Sequence, residues 1–275
     1  MTKRSIAELL ALAALWGGSF ICLRIAAPQF GAIPLIFLRV SIATLALAPF
    51  ALRPNQCTFK DIKSAPWAIF SMGLFMSAIP FTLFAYASHF LEAGIMVIIN
   101  ATSPIWAALI SSQINGYRIN RTQGLGMSLG LLGVTLVAWN RLGITDSENI
   151  GLAIAASIGA ALCYGIGSSL GKRYLHEVRP MSIAFGSMAF ATATLTAPAL
   201  LSWPTQTPTI SSWTAAGVLG VACTATASLL FFHLTKTIGG ERAIAVTFLQ
   251  PLFGIAWGAL LLGESISPSI MGGAA

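Results

Sequence analysis

The sequence predicts an all-α polytopic membrane protein, with a ten-helix architecture built from two inverted five-helix repeats. The first reason is composition: 56% of the residues are hydrophobic and 8% are charged, whereas about 25% are charged in a typical soluble domain. The second is a match between the two halves at an offset of 147 residues. The third is that the repeat unit holds five apolar segments, so its second copy enters the bilayer in the opposite direction. We therefore divide the chain into a first repeat, residues 1–145, and a second, inverted repeat, residues 146–275.

The repeat is visible in individual residues, and we call two residues that coincide repeat mates. At an offset of 147 the coinciding pairs are Pro104 with Pro251, Gly116 with Gly263, Gly126 with Gly273, Gly73 with Gly220, Ser77 with Thr224 and Phe84 with Phe231. At an offset of 148 they are Trp16-Gly17 with Tyr164-Gly165 and Arg24 with Lys172. Inverted repeats of this kind build transporters, with the substrate site between the halves near the midplane.

The predicted spans follow in chain order, each close to the roughly 20 apolar residues that a bilayer requires. They cover residues 5–26, 32–52, 65–86, 93–113 and 124–140 in the first half, and 151–175, 181–203, 212–233 and 243–262 in the second. The first is not read as a cleavable signal peptide, because its apolar run is too long and its Trp-Gly motif recurs in the second half. A tenth helix should begin near Ile270, and we expect it to be largely missing from this chain.

Charge predicts the orientation. Twelve of the 15 Lys and Arg residues lie at one end of the predicted bundle: Lys3, Arg4, Arg53, Lys60, Lys63, Arg118, Arg121, Lys172, Arg173, Arg179, Lys236 and Arg242. The other end has Arg24 and Arg141, and Arg39 lies inside the second span. This bias predicts a multi-pass membrane protein with its N-terminus in the cytoplasm. The net charge of +7 follows from it and from anionic lipid, so it does not indicate nucleic-acid binding.

Three segments resemble the EamA branch of the drug/metabolite transporter superfamily. LWGGSF at 15–20 is similar to the first-helix motif of that family, and FLRVSIATLAL at 37–47 to its second-helix pattern, with Arg39 in the arginine position. QPLFGIAWGALLLGE at 250–264 is similar to the end of the family repeat, whereas the first half has Tyr117 where the second has Glu264. The resemblance implies ten helices in two inverted halves and export or exchange of small metabolites. It also implies a multi-pass protein of the bacterial inner membrane. Within the branch, the chain is most similar to the aromatic amino acid exporters (YddG-like).

Other classes of protein lack support in the sequence. There is no Walker-type loop and no Ser-His-Asp or HExxH arrangement, so we expect neither an enzyme nor a cofactor. The four cysteines (Cys22, Cys57, Cys163 and Cys223) share no ligand spacing, which favours apolar packing over a metal site or disulfide. Glycines in the fifth and ninth spans indicate close helix packing, within a monomer or at a dimer contact. We expect a monomer whose partners are a small-molecule substrate and the lipid bilayer.

Three prolines inside predicted spans are candidate gating or hinge residues: Pro80, Pro104 and Pro251. Because proline cannot donate to the carbonyl four residues earlier, it frees the carbonyls of Met76, Asn100 and Thr247, respectively. A free carbonyl is costly in lipid and should face a cavity or a polar partner. Either a neighbouring helix satisfies a simple kink, or Asn100, Thr247 and nearby Gln250 line a substrate path.

Polar and aromatic residues at helical spacing extend this path. Ser77 and Phe84 share a face of the third span, and Trp16 lies near mid-span, where an interfacial aromatic residue would not lie. Such faces line a cavity or pack in the protein interior, and both interpretations stay open. The candidate substrate-binding residues are Trp16, Ser19, Ser77, Phe84, Asn100, Tyr164, Thr224, Phe231, Thr247 and Gln250.

Arg39 is the basic residue well inside a predicted span, and no carboxylate lies on a neighbouring predicted face. Either its side chain reaches outward to the interface, or it contacts the carboxylate of a substrate near the outer mouth. The acidic residues lie at span ends or in loops. We therefore expect facilitated movement or exchange, with proton antiport left open.

The function that the sequence favours is secondary transport, namely export of small amphipathic metabolites by alternating access. Aromatic and other neutral amino acids are the first choice of substrate, because the candidate wall is aromatic with neutral hydrogen-bonding groups. A phosphorylated-metabolite or nucleotide-sugar exchanger is the alternative, but phosphate requires more Lys and Arg deep in the cavity. A non-transporting scaffold is the other alternative, and it needs neither inverted symmetry nor polar stripes.

Overall fold

The computed structural model describes residues 2–53, 58–114, 116, 119–142, 147–239, 243 and 246–264. Over these residues the chain is helical and forms no strand. We number the long helices so that they match the predicted spans. They are α1 Lys3–Phe30, α2 Ala32–Ala51, α3 Pro66–Ala87, α4 Ala93–Ile114, α5 Arg121–Leu142, α6 Ser147–Tyr174, α7 Pro180–Leu201, α8 Ile210–Ile238 and α9 Val246–Leu262. A short helix, Thr58–Ser64, which no apolar segment predicts, connects α2 to α3.

Seven of the described helices, α1 to α4 and α6 to α8, are long and apolar enough to cross a membrane. The helix α9 has 17 residues and is a shorter apolar helix. Each predicted span overlaps one helix of the same number, so the prediction of an all-helical polytopic membrane protein is confirmed. The predicted tenth helix lies outside the described residues.

Helices of one predicted repeat pack against helices of the other, so the two repeats do not form separate bundles. The helix α1 packs on α8 and α9, and α6 packs on their counterparts α3 and α4. The helix α2 packs on its own counterpart α7, and α4 on its own counterpart α9. Where α2 meets α7, the hydroxyl oxygens of the repeat mates Thr44 and Thr192 are 3.3 Å apart. Each of these helix contacts therefore either has an equivalent contact between the matching helices of the other repeat, or joins two helices that match each other.

Glycines bring α1 close to α9, and α6 close to α4. A Cβ atom at Gly17 would lie 2.9 Å from the backbone oxygen of Gln250. A Cβ atom at its repeat mate Gly165 would lie 2.7 Å from the Cβ atom of Trp106. Side chains larger than hydrogen do not fit at such distances, so glycine sets the separation of these helices.

The helices α3 and α8 each contain one π turn, in which backbone hydrogen bonds reach five residues back instead of four. These turns cover Leu74–Ala78 and Val221–Thr226, which are equivalent segments of the two repeats. Pro80 follows the first π turn, but Ala227 stands at the corresponding position of the second. Proline is therefore not what produces the π turn in α8. Such turns are frequent at functional sites, and here each one carries a candidate residue, Ser77 or Thr224.

Candidate substrate site

Two aromatic pairs lie at equivalent positions in the two halves. Trp16 of α1 contacts Phe231 of α8, with ring centroids 5.5 Å apart. Tyr164 of α6 stacks on Phe84 of α3, with centroids 6.5 Å apart. Trp16 is the repeat mate of Tyr164, and Phe231 is that of Phe84. Four of the candidate residues thus meet as two pairs, and each pair joins one helix from each repeat.

An amide pair joins α4 to α9. The side-chain nitrogen of Asn100 donates a hydrogen bond to the side-chain oxygen of Gln250, at 3.0 Å. The hydroxyl of Ser103 donates to the backbone oxygen of Asn100 at 2.6 Å. The carbonyl that Pro104 frees therefore has a partner within its own helix, and it need not face a cavity. Asn100 and Gln250 can therefore contact a substrate through their side-chain amides.

The three prolines have different surroundings. Pro104 follows a break in α4, which consists of the helical segments Ala93–Asn100 and Ser103–Ile114. Pro251 lies inside α9, which continues through it without a break. Pro80 follows the π turn of α3. Of the two repeat-mate prolines, only Pro104 accompanies a discontinuity that could act as a hinge.

We expect Pro104→Ala to lower the rate of transport several-fold, while Pro251→Ala has a smaller effect. An alanine at 104 supplies a backbone N–H that can bond to the oxygen of Asn100, which favours a continuous α4. The rate of transport per folded protein, with the folded amount taken from size-exclusion chromatography, measures the effect. Loss of folded protein in both variants would show that the prolines serve packing instead.

Arg39 is buried, with 5% of its surface exposed, so it does not reach outward to the interface. Its Nε atom donates to the hydroxyl of Thr224 at 2.9 Å, and its Cζ atom lies 3.6 Å from the ring centroid of Phe81. None of the described Asp or Glu residues pairs with it. Burying a charge without a partner is costly. Of the two interpretations from sequence, the outward-reaching side chain is wrong.

The two terminal nitrogens of Arg39 make no hydrogen bond with the described residues, yet they are not fully buried. The hydroxyl of Tyr164 is in the same situation, and it is close enough to Arg39 to interact electrostatically. Both groups therefore have hydrogen-bonding capacity that the described residues do not use. A ligand there would find a cation, a phenol and the rings of Phe81 and Phe84.

The bundle is closed around the candidate residues, none of which is exposed. Those that are buried are Ser19, Ser77, Phe84, Thr224 and Gln250, and those that are half-buried are Trp16, Asn100, Tyr164, Phe231 and Thr247. Ser19 donates its hydroxyl to the backbone oxygen of Trp16 at 2.6 Å, so it serves its own helix. The hydroxyl of Ser77 is fully buried without a partner, whereas Thr224, its repeat mate, bonds to Arg39.

A polar cleft of about 680 Å³ lies between the start of α1 and the end of α8. Glu8 accepts a hydrogen bond from Arg4 at 2.9 Å, and its other oxygen lies 3.6 Å from the Nε2 atom of His233. Among the described residues, no three His, Cys, Asp or Glu side chains come together as a metal site.

One polar cluster was missed by the sequence interpretation. Arg24 forms an ion pair with Glu264, with its Nε atom 3.3 Å from Oε1. The two residues lie at opposite ends of the sequence, and nothing in either segment indicates the other. The signal that could have found them is their common position at the end of the bundle where basic residues are rare.

Comparison with known proteins gives one family. The family model of the "EamA-like transporter family" matches residues 4–139 and again residues 151–275. The chain is 25% identical over 258 residues to the "Uncharacterized transporter YdfC" of Bacillus subtilis, covering 91% of this chain and 80% of that protein. It is 23% identical over 265 residues to the "Uncharacterized inner membrane transporter YedA" of Escherichia coli, covering 94% and 83%.

A solved structure has the same fold. A crystal structure of a protein superimposes with a TM-score of 0.69 at 16% sequence identity, covering 100% of this chain and 96% of the other. At that identity the likeness concerns the fold alone.

Proposed function

Because the chain belongs to the EamA-like transporter family, whose model matches both of its halves, we propose that it exports small amphipathic metabolites by alternating access. The substrates we propose are aromatic and other neutral amino acids. One observation carries this choice: a buried arginine, which has no carboxylate partner among the described residues, lies beside an aromatic side chain inside the bundle. The protein is a multi-pass membrane protein, and we place its N-terminus in the cytoplasm on the basis of the charge bias.

Arg39 is the proposed anchor for the substrate carboxylate. Its Nε atom is held by Thr224, which fixes the plane of the guanidinium and leaves the two terminal nitrogens to a ligand. A carboxylate accepts two parallel hydrogen bonds from such a fork. It would also neutralise the buried charge, so binding relieves a cost that the empty site bears.

The aromatic pairs are the proposed contacts for the substrate side chain. Aromatic rings associate in stacked or edge-on arrangements at centroid distances of about 4.5–7 Å, and both Trp16–Phe231 and Phe84–Tyr164 fall in this range. A substrate ring that enters can replace one partner of a pair. The amides of Asn100 and Gln250 would serve the ammonium group, since they bring an acceptor oxygen without a competing charge.

Alternating access would follow from two inverted repeats, which we propose on the basis of sequence offset and helix contacts. The contacts of α1 with α8 and α9 have counterparts in those of α6 with α3 and α4. If the two sets exchange their conformations, a site between them opens first to one side of the membrane and then to the other. The Trp16–Phe231 and Tyr164–Phe84 pairs lie at these two contacts and would exchange roles in the same movement.

Purified protein in liposomes tests this proposal. We expect radiolabelled phenylalanine or tryptophan to be taken up, and we expect unlabelled neutral amino acids to compete better than lysine or a sugar phosphate. Liposomes that hold this protein alone also exclude a scaffold role, since a scaffold moves nothing. Efficient competition by a sugar phosphate would favour the phosphorylated-metabolite exchanger.

Trp16→Ala should reduce the preference for aromatic over small substrates, because it removes one ring of the α1–α8 pair. The matched control is Trp67→Ala, since Trp67 is exposed at the start of α3, away from the site. The ratio of phenylalanine to alanine uptake measures the change, which we expect to be about 2- to 12-fold, as one aromatic contact contributes about 0.5–1.5 kcal/mol. An unchanged ratio would show that Trp16 does not lie on the path.

A further inference from the structure

The chain folds back where α9 ends. Gly263 has a φ of +65°, a left-handed conformation that glycine adopts without strain. The backbone N–H of Glu264 donates to the oxygen of Gly258 at 3.1 Å. A Cβ atom at Gly258 would collide with the Glu264 carboxylate. The two glycines thus direct this carboxylate back over its own helix and towards α4.

The Glu264 carboxylate joins several elements at one point. Both of its oxygens lie 3.1 Å from the backbone nitrogen of Ala93, the first residue of α4. A negative charge is favourable at a helix N-terminus. Oε1 also lies 3.3 Å from the Nε atom of Arg24 in α1. Arg24 in turn donates from Nη1 to the backbone oxygen of Ser88, in the α3–α4 loop, at 3.0 Å. The side chain of Glu264 is 10% exposed and that of Arg24 is 31% exposed, so the contact is partly shielded from water.

The first repeat lacks this carboxylate. Its Gly116 has a φ of +67°, so the same kind of glycine conformation occurs at the position equivalent to Gly263. However, Tyr117 stands where the second repeat has Glu264, and Lys172 stands where it has Arg24. The contact is therefore specific to the end of the bundle that we propose to face outward.

Of the titratable groups near Glu264 that are compared next, Arg24 is the cation that faces its carboxylate. Burial lowers the pKa of the nearby His89 imidazole, and the charge of Arg24 lowers it further, so His89 is neutral at pH 7. Glu92, the residue before α4, makes an interaction of its own. The Nε atom of Arg24 approaches Glu264 without the alignment of a hydrogen bond. The attraction is mainly ionic, which suits a contact that has to form and break.

We infer that Arg24 and Glu264 form an outer latch, which keeps the site closed to the outside and must open for export. This inference rests on the proposed function and orientation. Asn100 follows Ala93 by seven residues, about 10 Å along α4 at 1.5 Å per residue, so the latch lies outward of the Asn100–Gln250 pair. Because it ties α1 to α4 and α9, these helices cannot separate at the outer end while it holds.

Thiol labelling from outside tests the latch without requiring transport. The reporter is Cys22, half-buried two residues before Arg24 in α1, in a protein whose other cysteines (Cys57, Cys163 and Cys223) are replaced by serine. A membrane-impermeant maleimide is applied to right-side-out vesicles. We expect slow labelling in this parent protein, and labelling at least tenfold faster in both Glu264→Gln and Arg24→Gln.

The two variants change the local charge in opposite directions. A mere effect of the local field on the Cys22 thiol would speed one reaction and slow the other, whereas opening of the latch speeds both. Arg24→Gln also keeps the carboxylate at the start of α4, which preserves a folded protein if Glu264→Gln is unstable. The double variant should be no faster than the single variants, because either one breaks the same contact.

The matched control is Glu8→Gln, which breaks the ion pair with Arg4 at the opposite end of α1. It should leave the labelling rate from outside unchanged. Equal rates for the parent, Glu264→Gln and Arg24→Gln would overturn the latch, and so would equal acceleration by Glu8→Gln. Failure of the proposed function has a different signature: labelling responds as expected while liposomes take up no amino acid.

Discussion

Arg39→Gln should weaken the binding of amino acid substrates about 10- to 100-fold while the protein remains folded. Hydrogen bonds to a charged group contribute about 1.5–3 kcal/mol, and each 1.4 kcal/mol corresponds to about a factor of ten in affinity. Glutamine keeps a donor for Thr224 but loses the cation and the two-pronged contact. The effect should appear in the KM for uptake in liposomes and be strongest for substrates with a free carboxylate.

Two comparisons make the Arg39 experiment specific. Arg39→Lys keeps the charge but not the fork, so its KM should lie between those of the parent protein and Arg39→Gln. Arg53→Gln is the matched control, because Arg53 also lies near an aromatic ring, that of Phe50, but beyond the end of α2. An amino acid amide has no carboxylate, so its KM should differ little between the parent protein and Arg39→Gln. Equal losses for the amide and the free acid would assign Arg39 to structure instead.

Gly165→Ala should lower the free energy of unfolding by about 1–3 kcal/mol, which is the usual cost of overpacking a tight contact. The added Cβ atom would lie 2.7 Å from Cβ of Trp106 and 2.8 Å from its backbone carbon, so α6 and α4 must move apart. Gly17→Ala should have a similar effect at the α1–α9 contact, where Gln250 and Gly254 lie 2.9 Å from the new atom. Thermal unfolding in detergent, read by the loss of monodisperse protein, measures both.

Gly217→Ala is the matched control for these two substitutions. Gly217 lies inside α8, and a Cβ atom added there would have no neighbouring atom of the described residues within 4 Å. Alanine at this position should therefore keep or slightly raise the Tm through its better helix propensity. A drop in Tm for Gly217→Ala as large as that for Gly165→Ala would indicate a general intolerance to alanine, and the close-contact explanation would then be wrong.

Much of this arrangement could be predicted from the sequence because the repeat carries long-range information. Matching Trp16 to Tyr164 and Phe84 to Phe231 marked four residues that meet as two pairs in the structure. The partner in each pair was not predictable, since helical spacing defines the face of a helix but not the helix that packs on it. The same limit applies to Arg39, which could be assigned to the interior only once α8 was known to lie against α2.

Local backbone features were harder to predict. The π turns in α3 and α8 leave no trace in a hydrophobic pattern, because nearly every residue of these spans is apolar. The partner of the Asn100 carbonyl was easier to predict, because Ser103 lies one turn later and serine hydroxyls commonly bond back to such carbonyls. The Arg24–Glu264 contact required the three-dimensional structure, because it depends on the fold-back of the chain at Gly263.

The contact between Thr44 and Thr192 defines a fixed point of the proposed transport cycle. These repeat mates contact each other across α2 and α7. If the halves exchange conformations, each threonine takes the environment of the other, and the distance between them is the same before and after. The α2–α7 contact can therefore serve as a pivot, about which the other helices rock while this contact is preserved. Substitutions that strengthen it would change stability without favouring either the inward-facing or the outward-facing state.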